Sequence, residues 1–263
     1  MTATSLAVRV RGLGKQYRIG ALKSSGAAYD AIGRRVGRSR TSQAPEGTPT
    51  IWALRDIDLD VSHGQAVAVI GRNGSGKSTL MKILARITAP TEGMAEVQGR
   101  VGALLQVGAG FHPELSGRDN IALSGAILGM SRAEIAAAEP AIVDFAEIGP
   151  FLDTSVKHYS SGMYMRLAFS VSAHLSAEVM LVDEVLQVGD ATFQQKCQQR
   201  IRELVGAGRT VVYVSHNLSS VADICDAAVV LDGGRLRFSG DTAEAVRFYE
   251  QEVLGMPRSA PGA

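Results

Sequence analysis

The sequence predicts an α/β fold built on a largely parallel sheet, and three observations carry this. Continuous apolar runs recur along the chain: "AVAVI" at 66–70, "VMLVD" at 179–183, "TVVYVS" at 210–215 and "AAVVLD" at 227–232. Such runs suit strands covered on both faces, as parallel sheets require. Segments of helical periodicity separate them, the order expected of βα units. The run at 66–70 also leads directly into "GRNGSGKST", a glycine-rich turn that opens a helix.

In chain order, "LAVRVRGL" (6–13) and "WALRDIDLDV" (52–61) alternate apolar and polar residues, as half-buried strands do. The stretch 21–50 between them is rich in Gly, Ser, Pro and Arg and reads as an insertion. Within it Ala28, Tyr29, Ile32 and Val36 fall on one helical face, with Arg34, Arg35 and Arg38 nearby. Two readings stand: a solvated loop, or a short basic amphipathic helix near a membrane surface or a partner. The chain then returns in "VGALLQVGAGFHPELSGRDNI" (101–121), where an apolar strand gives out at Gln106 and a loop expected to be mobile follows. From about Glu114 to Leu175 the pattern is helical, including "RDNIALSGAILGM" and "RAEIAAAEPAIVDFAEI". A last helix starts at Asp241, with Glu244 three residues on as an acidic variant of the capping box. The tail, 251–263, is expected to be flexible.

Composition bounds the function. The 263 residues, 46% of them hydrophobic, suffice for one sizeable core or a core plus a subdomain. Net charge is +1, with both signs mixed and no basic stripe of the kind a general nucleic-acid binder shows. Cys197 and Cys225 form no C-x-x-C pair and read as ordinary thiols of a reducing compartment. There is no secretory signal pattern at the N-terminus, and no run approaches the roughly 18 apolar residues of a bilayer span. The chain is therefore expected to be soluble, or held to a membrane by another protein.

The chemistry concentrates in a few places. In "GRNGSGKST" the glycines Gly71, Gly74 and Gly76 let the backbone curl, so that amides of Arg72, Asn73, Ser75, Lys77, Ser78 and Thr79 turn toward phosphate oxygens. Lys77 reaches the β- and γ-phosphates of a nucleotide, and Ser78 gives its hydroxyl to Mg²⁺. "VMLVDE" ends a buried strand in two carboxylates, Asp183 and Glu184. Alone, such carboxylates are caps or solvated turns. Beside a phosphate loop, Asp183 orients Mg²⁺ and Glu184 polarises the attacking water. "YSSGMYMRLAFS" (159–170) opens a helix at a Ser-Ser-Gly turn, which by itself is an N-cap. His216 follows the strand "VVYVS".

These motifs in this order resemble the ATP-binding subunit of ABC transporters along nearly the whole chain, about Leu6 to Tyr249. The resemblance implies a P-loop NTPase of the ABC nucleotide-binding type, with a RecA-like core, an antiparallel β subdomain and a helical subdomain at 107–175, all within one domain at 1–250. It implies ATP and Mg²⁺ as cofactors. The 71–79 loop is then the Walker A loop, and Gln106 the Q-loop glutamine that contacts Mg²⁺. Ser160, Ser161 and Gly162 lie in the signature motif, Asp183 and Glu184 end Walker B, Asp190 is the D-loop aspartate and His216 the switch histidine. Tyr17 matches the usual adenine-stacking position, with Trp52 as the alternative. Residues 109–120 face the permease and transmit movement.

Three departures narrow the resemblance. "YSSGM" stands for the usual "LSGGQ", "DEVLQVGD" for "DEPTSALD", and "VGAGFHPELSGRDNI" follows the Q-loop position. Together they look like the subgroup that exports lipid-linked polysaccharides: O-antigen, capsule, teichoic acid and related glycans. Some members add a carbohydrate-binding domain, which is not expected after the short helix here. The resemblance implies a head-to-tail homodimer beneath two copies of a separate permease, on the cytoplasmic face of the inner membrane, with a lipid-linked glycan as cargo and no nucleic acid. An exporter of drugs or small lipids is the alternative. A soluble ABC ATPase acting on DNA or ribosomes is disfavoured by the single domain and the lack of sustained heptads.

Overall fold

The computed structural model describes residues 5–18, 49–104, 108, 110–174, 177–183 and 190–256. The insertion residues Ala28, Tyr29, Ile32, Arg34, Arg35, Val36 and Arg38, together with Gln106 and Glu184, lie outside the described residues.

Two sheets form. The smaller is antiparallel, in the order β2–β1–β4, from β1 (Leu6–Arg18), β2 (Thr50–Ser62) and β4 (Glu92–Val97). The larger has the order β5–β6–β7–β3–β8–β9, from β3 (Ala66–Gly71), β5 (Val101–Leu104), β6 (Val179–Val182), β7 (Thr210–Val214), β8 (Ala227–Asp232) and β9 (Arg235–Asp241). Its strands pair in parallel except for β9, which returns antiparallel on β8. The sheet is thus mixed rather than purely parallel. The strands β4 and β9 carry no continuous apolar run. Each lies at a sheet edge, and exposed residues alternate along β9 and dominate β4.

The apolar runs are explained by which face each residue occupies. Successive strand residues point to opposite faces. Ala66, Ala68 and Ile70 of β3 join one core with Met180, Val182, Val211, Tyr213, Ala228 and Val230. Val67 and Val69 join the other with Val179, Leu181, Val212, Val214, Val229 and Leu231. The second core is closed by the antiparallel sheet, through Val8, Val10, Leu54, Ile57 and Leu59, and by helix α1 (Lys77–Leu84), through Leu80 and Leu84. The first is closed by helices.

Those helices are α2 (Gly117–Ile127), α3 (Arg132–Ala146), α4 (Ser161–Ala173), α5 (Ala191–Gly206), α6 (Leu218–Ile224) and α7 (Thr242–Phe248). Each starts at a side chain that accepts an amide of the first turn, from Ser116, Ser131, Ser160, Asp190, Asn217 and Asp241. Ser131 and Glu134 form a full capping box on α3, which continues through Pro140. Proline removes one internal hydrogen bond, and packing through the buried Ile135, Ile142 and Ala146 holds the helix despite it. Phe145, Phe169 and Phe193 bring α3, α4 and α5 together, with ring centroids 5.7–6.0 Å apart. The last helix runs on as a π-turn, Tyr249–Val253. Cys197 and Cys225 are buried, and burial pushes both thiols up to about 12, which leaves them unreactive apolar fillers.

The loop after β5 corrects an expectation. Part of the segment expected to be mobile, residues 112–116, is laced to α2. The carboxamide of the fully buried Asn120 accepts from His112 N at 2.6 Å and donates to the carbonyls of His112, Leu115 and Ser116. Ser155 Oγ donates to Pro113 O at 2.7 Å, and Lys157 pairs with Glu114 at 2.5 Å. A buried amide whose donors and acceptor are all used fixes a loop as firmly as secondary structure does.

Glu134 provides a test of the capping box. The Ser131 amide, then Arg100 and the Ser131 hydroxyl, hold its carboxyl down from the ordinary 4.5 to about 2. A lowered folded-state value means stability present above pH 4.5 and lost as pH falls toward 2. Glu134→Gln is expected to flatten that part of the acid unfolding curve, followed by circular dichroism.

Candidate nucleotide site

The parallel strands end on one side of the sheet, and the candidate groups leave it there. β3 ends in the glycine-rich loop, β6 in Asp183 and β7 in Ser215 and His216. Because β7 lies between β6 and β3, these three chain segments emerge side by side, where open α/β sheets bind ligands.

The loop is shaped by backbone contacts that admit no side chain. A Cβ at Gly71 would lie 2.2 Å from Leu231 O. At Gly76, φ is +108°, and a Cβ would lie 2.5 Å from Ala53 O and 2.6 Å from Leu54 Cδ2. Gly76 is the N-cap of α1 and offers no side-chain acceptor, so the first-turn amides are left to a ligand. The Lys77 ammonium is buried and donates to Gly71 O at 2.7 Å and Arg72 O at 3.0 Å. Ser75 Oγ is 3% exposed as a residue and finds no hydrogen-bond partner among the described residues.

A cavity of about 320 Å³ opens on this loop, lined by Ala53, Asn73, Gly74, Gly76, Lys77, Ser78, Thr79 and Asp183. One cation, one carboxylate and two hydroxyls therefore share one hollow at a helix N-terminus. Burial lowers the Lys77 pKa, and the charge of Asp183 partly restores it. Burial raises the Asp183 pKa, opposed by Lys77 and Lys82. A larger open hollow of about 500 Å³, lined by residues of α3 such as Glu139 and Asp144 and by Pro150, has neither a glycine cradle nor a cation and offers no phosphate chemistry.

The structure brings only part of the expected set into the cavity. Arg72 is exposed and is not among the lining residues. Ser160 caps α4 by accepting Met163 N at 3.1 Å, and Ser160, Ser161 and Gly162 are not among the lining residues. Asp190 caps α5 through Phe193 N at 2.9 Å and pairs with Arg166 at 2.7 Å, outside the cavity. His216 is exposed beyond β7 and does not line it either. Tyr17, 38% exposed, stands at the end of β1 with Lys15 Nζ 5.3 Å from its ring centroid. The ring of Trp52 rests on Gly14, where a Cβ would come within 2.9 Å of it, and Arg55 lies over it at 5.5 Å. Gln106 and Glu184 belong to the residues not described.

Two contributors escape sequence reasoning. Ala53 forms a cavity wall through strand β2, and nothing local marks it. Arg166 ties Glu147 at the end of α3 to Asp190 at the start of α5, with its guanidinium 4.9 Å from the Phe193 ring. A basic residue in the turn after a cap is too common a pattern to point there.

Among known families, the ABC transporter model matches residues 54–187. An O-antigen export system ATP-binding protein of Myxococcus xanthus is 46% identical over 203 residues, 77% of this chain and 46% of that protein. A protein of the same description from Klebsiella pneumoniae is 43% identical over 201 residues, 76% of this chain and 82% of its own length. A teichoic acids export ATP-binding protein of Shouchella clausii is 43% identical, covering 77% of this chain and 56% of its own length. The chain thus spans about half the length of the first and last of these. A solved dimer of the cassette MJ0796, in a post-hydrolysis state bound to ADP and Pi, superposes with a TM-score of 0.69 at 20% identity, covering 89% of this chain and 98% of its own.

The balance of burial and attraction is testable. For Asp183, burial outweighs the attraction of Lys77 and Lys82. A raised folded-state value means that its ionised form weakens the fold as pH rises through it. Asp183→Asn is expected to raise the thermal midpoint of the ligand-free protein at neutral pH, by calorimetry. Gly76→Ala is expected to weaken ATP binding at least about tenfold, the equivalent of one lost hydrogen bond to a charged group, by titration calorimetry.

Proposed function

The chain belongs to the ABC transporter family, and from that membership we propose that it is the ATP-hydrolysing subunit of an exporter of lipid-linked polysaccharide, of the O-antigen, capsule or teichoic acid class. The observation that carries the reading is the joint presence of the Lys77–Asp183 cavity and the three departures "YSSGM", "DEVLQVGD" and "VGAGFHPELSGRDNI". The family relatives above are export-system ATP-binding proteins by description.

The chemistry follows from the cavity. The amides of the glycine loop and of the first turn of α1 face phosphate oxygens, and the Lys77 ammonium meets the charge of the β- and γ-phosphates. Ser78 and Asp183, with Gln106, would hold Mg²⁺, which when bound offsets negative charge on the phosphates. Two protein oxygens from a hydroxyl and a carboxylate suit this hard cation, which keeps much of its water. Glu184 polarises the attacking water, and His216 meets the charge that develops on the transferred phosphoryl group. Tyr17 stacks on the adenine.

Ser160, Ser161, Gly162 and Asp190 complete the site from the other chain of a head-to-tail homodimer. The exposure of Ser160, Ser161 and Asp190 in one chain, away from its own cavity, supports this placing. ATP contacts both halves only when the dimer is closed, which makes closure a two-state element. The partners are two copies of a separate permease, contacted by residues 109–120. The insertion at 21–50, with Tyr29, Ile32 and Val36 docking and Arg34, Arg35 and Arg38 near lipid phosphate, lies beside its cytoplasmic entrance. No helix among the described residues is long and apolar enough to cross a membrane, which suits a subunit held at the cytoplasmic face of the inner membrane by that permease. One domain spans 1–250, with a helical subdomain at 107–175.

The test replaces the native chain with Glu184→Gln in cells. Hydrolysis by the purified variant is expected to fall roughly 10²–10⁴-fold with ATP binding retained. Lipid-linked glycan should then build up on the cytoplasmic side as surface polymer disappears. Normal surface polymer, with hydrolysis abolished, would remove the polysaccharide assignment.

A further inference from the structure

The turn that carries Ser160 is bound directly to the loop that follows the Gln106 position, through one side chain. The Tyr164 amide donates to Ser160 O at 2.9 Å, closing the first hydrogen bond of α4. Its hydroxyl donates to Gly108 O at 3.1 Å, and its ring meets Phe111 edge-on, with centroids 5.2 Å apart and planes at 68°. Gly108 O also accepts Phe111 N at 3.1 Å, so one carbonyl joins the loop to itself and to the helix. The approach is close: at Gly108, φ is +87°, and a Cβ would come 2.6 Å from the Tyr164 ring and hydroxyl. Beyond Phe111, the Asn120 hydrogen bonds make residues 112–116 one block with α2.

We propose that Tyr164 is a positioning residue that makes the 112–116 block move with the start of α4, so that a displacement of the Ser160 turn is delivered to the loop. A rigid block joined to a helix by a hydrogen bond and a ring edge follows that helix, whereas a slack loop absorbs its motion. The proposal rests on the reading of Ser160 as a nucleotide contact and of 109–120 as the permease-facing segment. The Tyr164 side chain is spent on Gly108 O and the Phe111 ring, so its part is in coupling.

Two variants separate coupling from simple stability. Tyr164→Phe keeps the ring edge and removes the bond to Gly108; Tyr164→Leu removes both. In hydrogen–deuterium exchange of the purified chain, Mg²⁺ with the non-hydrolysable AMP-PNP should alter protection of 161–165 and of 110–116 together in the native protein. In Tyr164→Leu only 161–165 should respond, with Tyr164→Phe between. In cells, Tyr164→Leu is expected to lower surface polysaccharide at least about threefold while kcat and KM for ATP stay within about twofold. Nucleotide response of 110–116 persisting in Tyr164→Leu, or absent from the native chain, would overturn the linkage. So would hydrolysis falling in parallel with export, since that marks a structural role. Lys77→Ala serves as the control for the export reading. If it leaves surface polysaccharide normal, that reading fails, and exchange alone judges Tyr164.

Discussion

Everything at the site depends on a backbone-to-backbone approach at the phosphate loop. Gly76 presses on Ala53 of the antiparallel sheet, and Gly71 on Leu231 of the mixed sheet. The β8–β9 turn closes the arrangement. Gly234 N donates to Ser75 O at 3.2 Å, and Gly234 O accepts from Arg55 N at 2.8 Å. One turn therefore joins the loop to strand β2, and a loop clamped between two sheets holds its amides in place before any ligand arrives. Preorganised donors of this kind cost nothing to align when charge arrives at them.

The electrostatics work in the same direction. Lys77 is buried and Asp183 partly buried, and burial acts against the charged form of each. Their mutual attraction recovers only part of that cost, the lesser cause for each group. A charge set on which burial outweighs attraction gains from a ligand that brings counter-charges. Stability given up in the free protein thus returns as binding energy, the linkage expected of any ligand that favours the folded state.

The helix α4 draws three parts of the molecule together. Its cap is Ser160, Arg166 ties it to the end of α3 and the start of α5, and Phe169 seats it between Phe145 and Phe193. Its first turn reaches the loop through Tyr164. An element so bound moves as a body, because packed interiors transmit displacement rather than absorb it.

Local chemistry made much of this legible in the chain itself. The continuous apolar runs at 66–70, 179–183, 210–215 and 227–232 reported strands covered on both faces, and the structure alternates their strand residues between two cores. The glycine spacing with Lys77 and Ser78 reported a phosphate loop, since few other uses need that much backbone freedom before a helix. The caps Ser160 and Asp241 were readable because an orphan amide needs an acceptor close in sequence. What depends on distant partners was not readable. The edge strands β4 and β9 hide because a half-solvated strand needs no apolar run. Ala53 lines the cavity only because β2 passes over Gly76, and Arg166 matters only because α3 and α5 converge on it. The loop at 110–116 looked slack from its glycines and His-Pro, yet Asn120 holds residues 112–116 with bonds that exist only once α2 has formed. Residue type and spacing determine which groups are available for chemistry; the tertiary fold decides which backbone atoms come close enough to use them, because those approaches are made across long stretches of chain.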